Sequence, residues 1–177
     1  MKLTSICLHG PESTGKSTMA PDLARHFGSA WVPEYGRTYT EAFGTSWTMD
    51  DLVAIAKAHD AQTRAAIATG RTPVILDTDP LMTAVWADML FGRRDPWFDA
   101  WTGTADLYLL LDIDLPWVED GTRMFGTAGR RRKFYDLSKR ELERRGVRWA
   151  TVSGAGEQRY LTALRAILGT EKAIAGA

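Results

Sequence analysis

Residues 10–17 read Gly10-Pro11-Glu12-Ser13-Thr14-Gly15-Lys16-Ser17 and directly follow an apolar stretch, residues 3–8, that favours a buried strand. The G-x-x-x-x-G-K-S spacing turns successive backbone N–H groups toward one point, where they can cradle the phosphates of a nucleotide. The residues after the loop, to about Phe27, favour a helix whose N-terminal dipole also attracts an anion. The sequence therefore predicts a phosphate-binding loop for a nucleoside triphosphate.

Individual residues of this loop have separate predicted roles. The Lys16 ammonium can reach the β- and γ-phosphates, and the Ser17 hydroxyl can bind Mg²⁺. We expect ATP as the bound nucleotide, and the motif leaves GTP open as the alternative. The residues predicted to contact the nucleotide are Gly10, Glu12, Ser13, Thr14, Gly15, Lys16, Ser17 and Thr18.

The overall composition narrows the class of protein. The 177 residues suit one domain spanning 1–177, and a composition of 45% hydrophobic and 25% charged residues is typical of a globular protein. Basic and acidic residues both number 22, so no net charge attracts nucleic acid or a membrane surface. Because a strand begins almost at once and no apolar run is long enough to span a bilayer, we predict a cytoplasmic protein without a signal peptide or membrane partner.

Apolar runs alternate with helical patterns along the chain, which is typical of a parallel α/β sheet. A phosphate loop after the first of five parallel strands is the organisation of a P-loop kinase, and by analogy with that class we expect the strand order 2-3-1-4-5. Residues 169–177 are predicted to be a frayed tail. The predicted strands are residues 3–8, 30–33, 73–76, 107–111 and 149–152, and the predicted helices are 17–27, 48–69, 80–90, 130–145 and 157–168.

Asp77-Thr78-Asp79 follows the third predicted strand, at the edge of the sheet where open α/β proteins bind their ligands. Asp77 has the position of a carboxylate that holds Mg²⁺ opposite Ser17. Asp79 has two interpretations, because a carboxylate just before Pro80 is either part of the site or the N-cap of the next helix.

Glu34-Tyr35-Gly36-Arg37 follows the second predicted strand. A carboxylate at Glu34 can bind sugar hydroxyls or take the proton from an attacking hydroxyl. Tyr35 offers a flat aromatic face, and Arg37 offers a fixed positive charge. The alternative is a surface turn, which Pro33 and Gly36 would also give.

The stretch after the fourth predicted strand is basic and predicts a mobile lid over about residues 117–135. Arginines on such a segment stabilise the charge of a transferring phosphoryl group and exclude water, and Gly126 and Gly129 would let it move. The alternative is a solvated helix face, and the pairing of Glu141 and Glu143 with Arg144 and Arg145 is interpreted as ordinary surface pairing. After the fifth strand, residues 153–156 are either a loop beside the adenine or a plain turn.

Four of these motifs, taken together, resemble the ribosylnicotinamide kinase domain of the bacterial NAD-biosynthesis regulator and related stand-alone kinases. They are the phosphate loop, Glu34-Tyr35-Gly36-Arg37, Asp77-Thr78-Asp79 and the segment Trp-Val-Glu-Asp-Gly-Thr-Arg at residues 117–123. The resemblance covers about residues 3–168. It implies transfer of the ATP γ-phosphate to the 5′-hydroxyl of nicotinamide riboside, a small-molecule nucleoside, to give nicotinamide mononucleotide.

The resemblance also implies roles for single residues. Lys16 and Ser17 would serve ATP and Mg²⁺, and Asp77 would belong to the metal and catalytic end of the site. Glu34 and Asp79 become the two candidates for general base or ribose contact. Tyr35 and one tryptophan could stack on the cationic pyridinium ring, and Arg123 and Arg131 fall where the family carries lid arginines.

Two other functions remain open from the sequence. The same chemistry could act on another nucleoside or a vitamin alcohol, or the chain could be a nucleotide-binding regulatory ATPase. Trp86, Trp97 and Trp101 lie close together in the sequence and could line a pocket, fill the core or form a homodimer contact, of which core filling is the commonest fate.

Overall fold

Five parallel strands form the centre of the fold in the order β2-β3-β1-β4-β5, which confirms the predicted topology. The structure is a computed structural model that describes residues 2–121 and 123–176. The strands are β1 (Ser5–His9), β2 (Trp31–Val32), β3 (Val74–Asp77), β4 (Leu107–Leu111) and β5 (Trp149–Val152). The helices that flank them are α1 (Lys16–Phe27), α2 (Tyr35–Phe43), α3 (Met49–Ala68), α4 (Pro80–Phe91), α5 (Pro96–Ala100), α6 (Ala128–Arg145) and α7 (Gly156–Ala175).

The central strands are buried on both faces, which explains why they read as continuous apolar runs. Side chains alternate between two clusters along β1, with Ile6 and Leu8 in one and Cys7 in the other. Cys7 lies opposite Leu76 of β3 and Tyr108 of β4. The sheet is therefore enclosed by helices, and ligands can reach it only at its ends.

The strand order reverses at β1, whose neighbours are β3 on one side and β4 on the other. In open α/β sheets the crevice beyond such a point is where ligands bind, because the loops after the neighbouring strands diverge there. The loop after β1 therefore lies between the residues that follow β3 and those that follow β4.

Helices α2 and α5 were not predicted, and α7 is longer than predicted. Residues 35–43 form α2, so the alternative interpretation of this stretch as a surface turn is wrong and Glu34 is a helix N-cap residue. Helix α7 continues past Leu168, where it was predicted to end, to Ala175. Part of its extension is held by packing, because Ile174 contacts the core cluster that contains Leu23.

The pairing of Glu141 with Arg144 and Arg145 is not ordinary surface pairing, contrary to the sequence interpretation. Glu141 is only 2% exposed and accepts hydrogen bonds from three guanidinium groups, those of Arg94, Arg144 and Arg145. A buried carboxylate is costly unless such partners surround it. The cluster fixes α6 against the end of α4 and against α5.

The three clustered tryptophans mainly serve the core. Trp86 is nearly buried and has edge contacts with Trp47 and Phe134. Trp97 packs against the same apolar cluster, and the Trp101 indole N–H donates to Asp60. Within residues 2–121 and 123–176, no helix is long and apolar enough to cross a membrane.

The buried His9 makes the stability of the fold depend on pH. His9 is fully buried in β1 beside the Tyr108 ring, and desolvation, helped by the Lys16 charge, lowers its pKa to about 3. It is neutral in the folded chain but gains a proton in the unfolded chain below about pH 6.5. Its contribution to stability is therefore complete above pH 6.5 and is lost progressively as the pH falls from there toward 3.

We predict that His9→Gln removes part of this loss. Between pH 7.5 and 5.5 the wild-type free energy of unfolding should fall by about 1.4 kcal/mol more than that of the variant. Urea unfolding at both pH values measures the difference, and His26→Gln, which alters an exposed histidine, should lose as much as the wild type. An equal loss in His9→Gln and wild type would contradict the buried neutral histidine.

Candidate active site

The phosphate loop takes a backbone conformation that its glycines allow. Gly10 and Gly15 have φ of 123° and 89°, and Ser13 has φ of 57°. A Cβ on Gly10 would lie 2.8 Å from the carbonyl oxygen of Leu111, so a larger residue would push the loop away from β4. This curvature turns backbone N–H groups toward a common centre, which is the geometry of an anion cradle.

The Lys16 ammonium lies inside the loop rather than in solvent. It donates to the carbonyl oxygens of Gly10 at 2.9 Å and Pro11 at 2.6 Å, and the residue is only 7% exposed. The Thr14 hydroxyl donates to the same Pro11 oxygen at 2.9 Å. The loop therefore holds a fixed positive charge at the centre of the cradle.

Asp77 and Ser17 are the residues that could together hold Mg²⁺. Asp77 ends β3, is 1% exposed, and its Oδ1 atom has no hydrogen-bond partner. Burial raises its pKa, whereas the Lys16 charge and a hydrogen bond with Ser17 lower it. A buried carboxylate oxygen beside a hydroxyl suits a hard cation that takes its other ligands from phosphate and water. Among the described residues, no cluster of three or more His, Cys, Asp or Glu could hold a metal alone.

Glu34 lies at the rim of the same cleft, on the side away from β4. As the N-cap residue of α2 it makes no side-chain cap bond, so its carboxylate is free for other contacts. Burial, strengthened by the charge of Asp77, raises its pKa to about 7. A carboxylate with a pKa near neutrality is well suited to accept a proton at physiological pH.

Asp79 is placed differently, and its position matches the N-cap interpretation. Its Oδ1 accepts the Leu81 N–H at 2.9 Å, and its Oδ2 accepts the Tyr108 hydroxyl at 2.5 Å. Burial raises its pKa to about 6, although both hydrogen bonds oppose that shift. Both oxygens are therefore engaged in holding the start of α4 against β4.

One cleft that opens to solvent brings together most of the predicted site residues. It continues into a smaller chamber with the aromatic side chains of Tyr35, Trp47 and Trp86 in its wall. His59 also borders this chamber, and desolvation lowers its pKa to about 4, so it is neutral. The predicted residues that line the main cleft are Gly10, Glu12, Ser13, Thr14, Gly15, Lys16, Ser17, Thr18, Glu34, Arg37 and Arg123.

Two side chains of the phosphate loop hold the segment that follows β4. The Glu12 carboxylate accepts the backbone N–H groups of Met124 and Phe125 at 3.1–3.2 Å. The Ser13 hydroxyl donates to the Pro116 carbonyl and accepts the Val118 N–H at 3.0 Å. The segment therefore lies directly on the loop.

Arg123 reaches the cleft from this segment. Its guanidinium donates to the Val118 carbonyl and forms an ion pair with Asp120 at 3.1 Å. Asp120 also pairs with Arg37 of α2 at 3.3 Å, so the segment contacts both sides of the cleft. Thr122 of the predicted lid lies outside the described residues.

Arg131 and Gly126 support the segment from the side of α6. Arg131 donates to the Leu115 carbonyl at 3.0 Å, and its guanidinium lies 5.7 Å from the centre of the Trp117 ring. A Cβ on Gly126 would come within 2.8 Å of that indole, so this glycine allows the segment to pack closely against Trp117. Gly129 belongs to α6, as does the rest of the predicted lid to residue 135.

Sequence reasoning missed two buried residues near the site. Arg159 of α7 bonds to the phosphate loop, and His59 of α3 borders the aromatic chamber. Arg159 stands among polar residues and gives no signal of burial. His59 fell on the apolar face of its predicted helix, which indicated burial without indicating the chamber.

Comparison with protein families shows that the model described as AAA domain matches residues 5–159. The chain belongs to this family, and its fold is that of a P-loop kinase. It is similar to the trifunctional NAD biosynthesis/regulator protein NadR of Escherichia coli K12, with 29% identity over 154 residues. Those residues are 84% of this chain but 38% of NadR, so the chain spans well under half of that curated relative.

Two solved structures of NadR resemble the fold closely. The complex of NadR with NR aligns with a TM-score of 0.74 and 25% identity, covering 93% of this chain and 50% of NadR. The complex with NAD and AMP-PNP gives a TM-score of 0.72 at the same identity, covering 93% and 48%. The resemblance drawn from the sequence motifs is therefore confirmed.

We predict that Glu12→Ala releases the segment from the phosphate loop. Without the carboxylate, the N–H groups of Met124 and Phe125 lose their acceptor, and their hydrogen exchange should accelerate about tenfold or more. Hydrogen–deuterium exchange with mass spectrometry measures this on peptides covering residues 115–127. Glu41→Ala, an exposed change on α2, serves as the control. Unchanged exchange in the Glu12 variant would disprove the attachment.

Proposed function

We propose that this protein is an ATP-dependent ribosylnicotinamide kinase that converts nicotinamide riboside to nicotinamide mononucleotide. The observation that carries the proposal is the position of Glu34, between the phosphate loop and a chamber with three aromatic side chains in its wall. The similarity to NadR, whose structure was solved with NR, supports the choice of acceptor.

The donor half of the proposed site holds the triphosphate of ATP. Backbone N–H groups of the loop would bind the phosphates, the Lys16 ammonium would exchange its bonds to the Gly10 and Pro11 carbonyls for phosphate oxygens, and Arg123, which also lines the cleft, would add charge. Such fixed charges stabilise the oxygens of a transferring phosphoryl group. Ser17 and Asp77 would hold Mg²⁺, which when bound neutralises charge on the β- and γ-phosphate oxygens.

The acceptor half places the nucleoside between Glu34 and the aromatic chamber. The 5′-hydroxyl oxygen attacks the γ-phosphorus, its proton passes to Glu34, and the bond to the β-phosphate oxygen breaks to release ADP. The chamber that Tyr35, Trp47 and Trp86 border would receive the flat cationic ring, because aromatic rings attract positive charge. The segment after β4 would act as the lid that keeps water from the phosphoryl group.

We predict acceptor-dependent turnover for the purified chain with Mg·ATP and nicotinamide riboside. Uridine, thymidine and a vitamin alcohol serve as alternative acceptors, and ADP and the phosphorylated product are measured together. Rapid formation of nicotinamide mononucleotide that Lys16→Ala abolishes would establish the reaction. Faster turnover with another acceptor would overturn the substrate, and acceptor-independent hydrolysis alone would favour a regulatory ATPase.

We predict different effects for Glu34→Gln and Asp79→Asn. The base must be ionised, so the wild-type kcat should fall as the pH drops through about 7, the pKa of Glu34. Glu34→Gln should lower kcat by about 10²–10⁴ and remove this acidic limb. Asp79→Asn, which keeps a side chain able to cap α4, should lower the melting temperature and change kcat less than tenfold. A larger loss of kcat in the Asp79 variant would make Asp79 the base.

A further inference from the structure

A single guanidinium joins three loops behind the candidate site. Arg159 is 3% exposed, and its Nε donates to the Thr14 carbonyl of the phosphate loop at 3.1 Å. Its Nη2 donates to the Asp112 carbonyl, directly after β4, at 2.6 Å. Its Nη1 donates to the Gly154 carbonyl, after β5, at 2.8 Å and to the Asp114 carboxylate at 2.5 Å.

The position of Arg159 is electrostatically unfavourable for a positive charge. Arg159 lies in the first turns of α7, where the helix dipole disfavours a cation, and it is removed from water. Bonds from both terminal nitrogens and from Nε compensate for that cost. A lysine could carry the charge, but it could not supply the same planar fork to three loops.

The bond to Thr14 has a direct consequence for the phosphate cradle. A trans peptide is planar, so its carbonyl and its N–H point in opposite directions. When Arg159 holds the Thr14 carbonyl behind the loop, the N–H of Gly15 is turned to the other side, toward the cleft that Gly15 lines. That N–H belongs to the G-K-S end of the motif, where phosphate is bound.

The other bonds join the loops on either side to the same guanidinium. The Asp114 carboxylate accepts the Gly154 N–H at 2.6 Å, which ties the loop after β5 to the loop after β4. Burial would raise the pKa of Asp114, but the Gly154 and Arg159 hydrogen bonds outweigh it and lower that pKa. The ion pair with Arg159 therefore remains charged at neutral pH.

We propose that Arg159 is a positioning residue for the nucleotide: it orients the Thr14–Gly15 peptide and holds the loops after β4 and β5 in register with the phosphate loop. The inference rests on nucleotide binding in the proposed function and is independent of the acceptor. It adds a residue that acts from behind the cradle, through the backbone, without touching the phosphates.

The test is direct binding of ATP and of inorganic tripolyphosphate to Arg159→Lys, measured by calorimetry with Mg²⁺. We expect both affinities to fall about tenfold or more, because a charge-assisted bond to the cradle is lost. Arg94→Lys is the matched control, since the Arg94 guanidinium is partly buried and makes three bonds, all to carboxylates, at the α4–α6 contact away from the cleft. It should lower the melting temperature and leave both affinities within twofold of the wild type.

Several outcomes would overturn the proposal. Unchanged affinities in Arg159→Lys, or an equal loss of affinity in Arg94→Lys, would mean that Arg159 contributes only to the stability of the fold. A loss for ATP but not for tripolyphosphate would remove the role in orienting the peptide. If Arg159→Lys does not fold, Asp114→Asn is tested in its place. We expect this variant to lose affinity for both ligands several-fold, and unchanged affinities would overturn the proposal. Failure to phosphorylate nicotinamide riboside would leave these binding results valid.

Discussion

The positive charge of Lys16 inside the phosphate loop is the constraint on which the rest of the site depends. Three carboxylates surround it, and burial raises the pKa of each: Glu12, Glu34 and Asp77. In all three the Lys16 charge acts in the opposite direction. Without this ammonium, the carboxylates would repel one another and take up protons. The charge of the phosphate loop therefore stabilises the surrounding carboxylates in addition to attracting phosphates.

The sheet topology explains how so short a chain assembles this set. The order reverses at β1, so residues after β2, β3 and β4 come from distant parts of the sequence to the same edge. Each contributes one kind of chemistry: a carboxylate with a pKa near neutrality after β2, a buried carboxylate at the end of β3, and an arginine-bearing segment after β4. The segment is held by Glu12 and Ser13, so loop and segment form one unit.

Much of the fold and of the candidate site could be predicted from the sequence, because these parts depend on local sequence patterns. The phosphate loop, the fourth and fifth strands and the helix predicted to begin at residue 48 depend on spacing along the chain. Helix α2 could not be predicted, since Pro33 and Gly36 indicate a turn equally well. The burial and the bonding partners of Arg159 and Glu141 could not be predicted, because those partners lie on loops and helices that are distant in the sequence. The role of Asp79 could not be decided from the sequence, because an N-cap and a catalytic carboxylate both require an Asp side chain at this position.

The two hydrogen bonds of Asp79 limit how the shape of the aromatic chamber can change. These bonds, to Leu81 and Tyr108, fix the start of α4 in position and in rotation about the helix axis. Met82 and Trp86 lie one and two turns further along this helix and form part of the chamber wall. Because the helix is anchored at its buried end, the wall cannot adapt by turning or sliding. Over evolution, this side of the chamber would therefore change its shape through side chains such as these two and not through movement of the helix, whereas the rest of the wall comes from other elements.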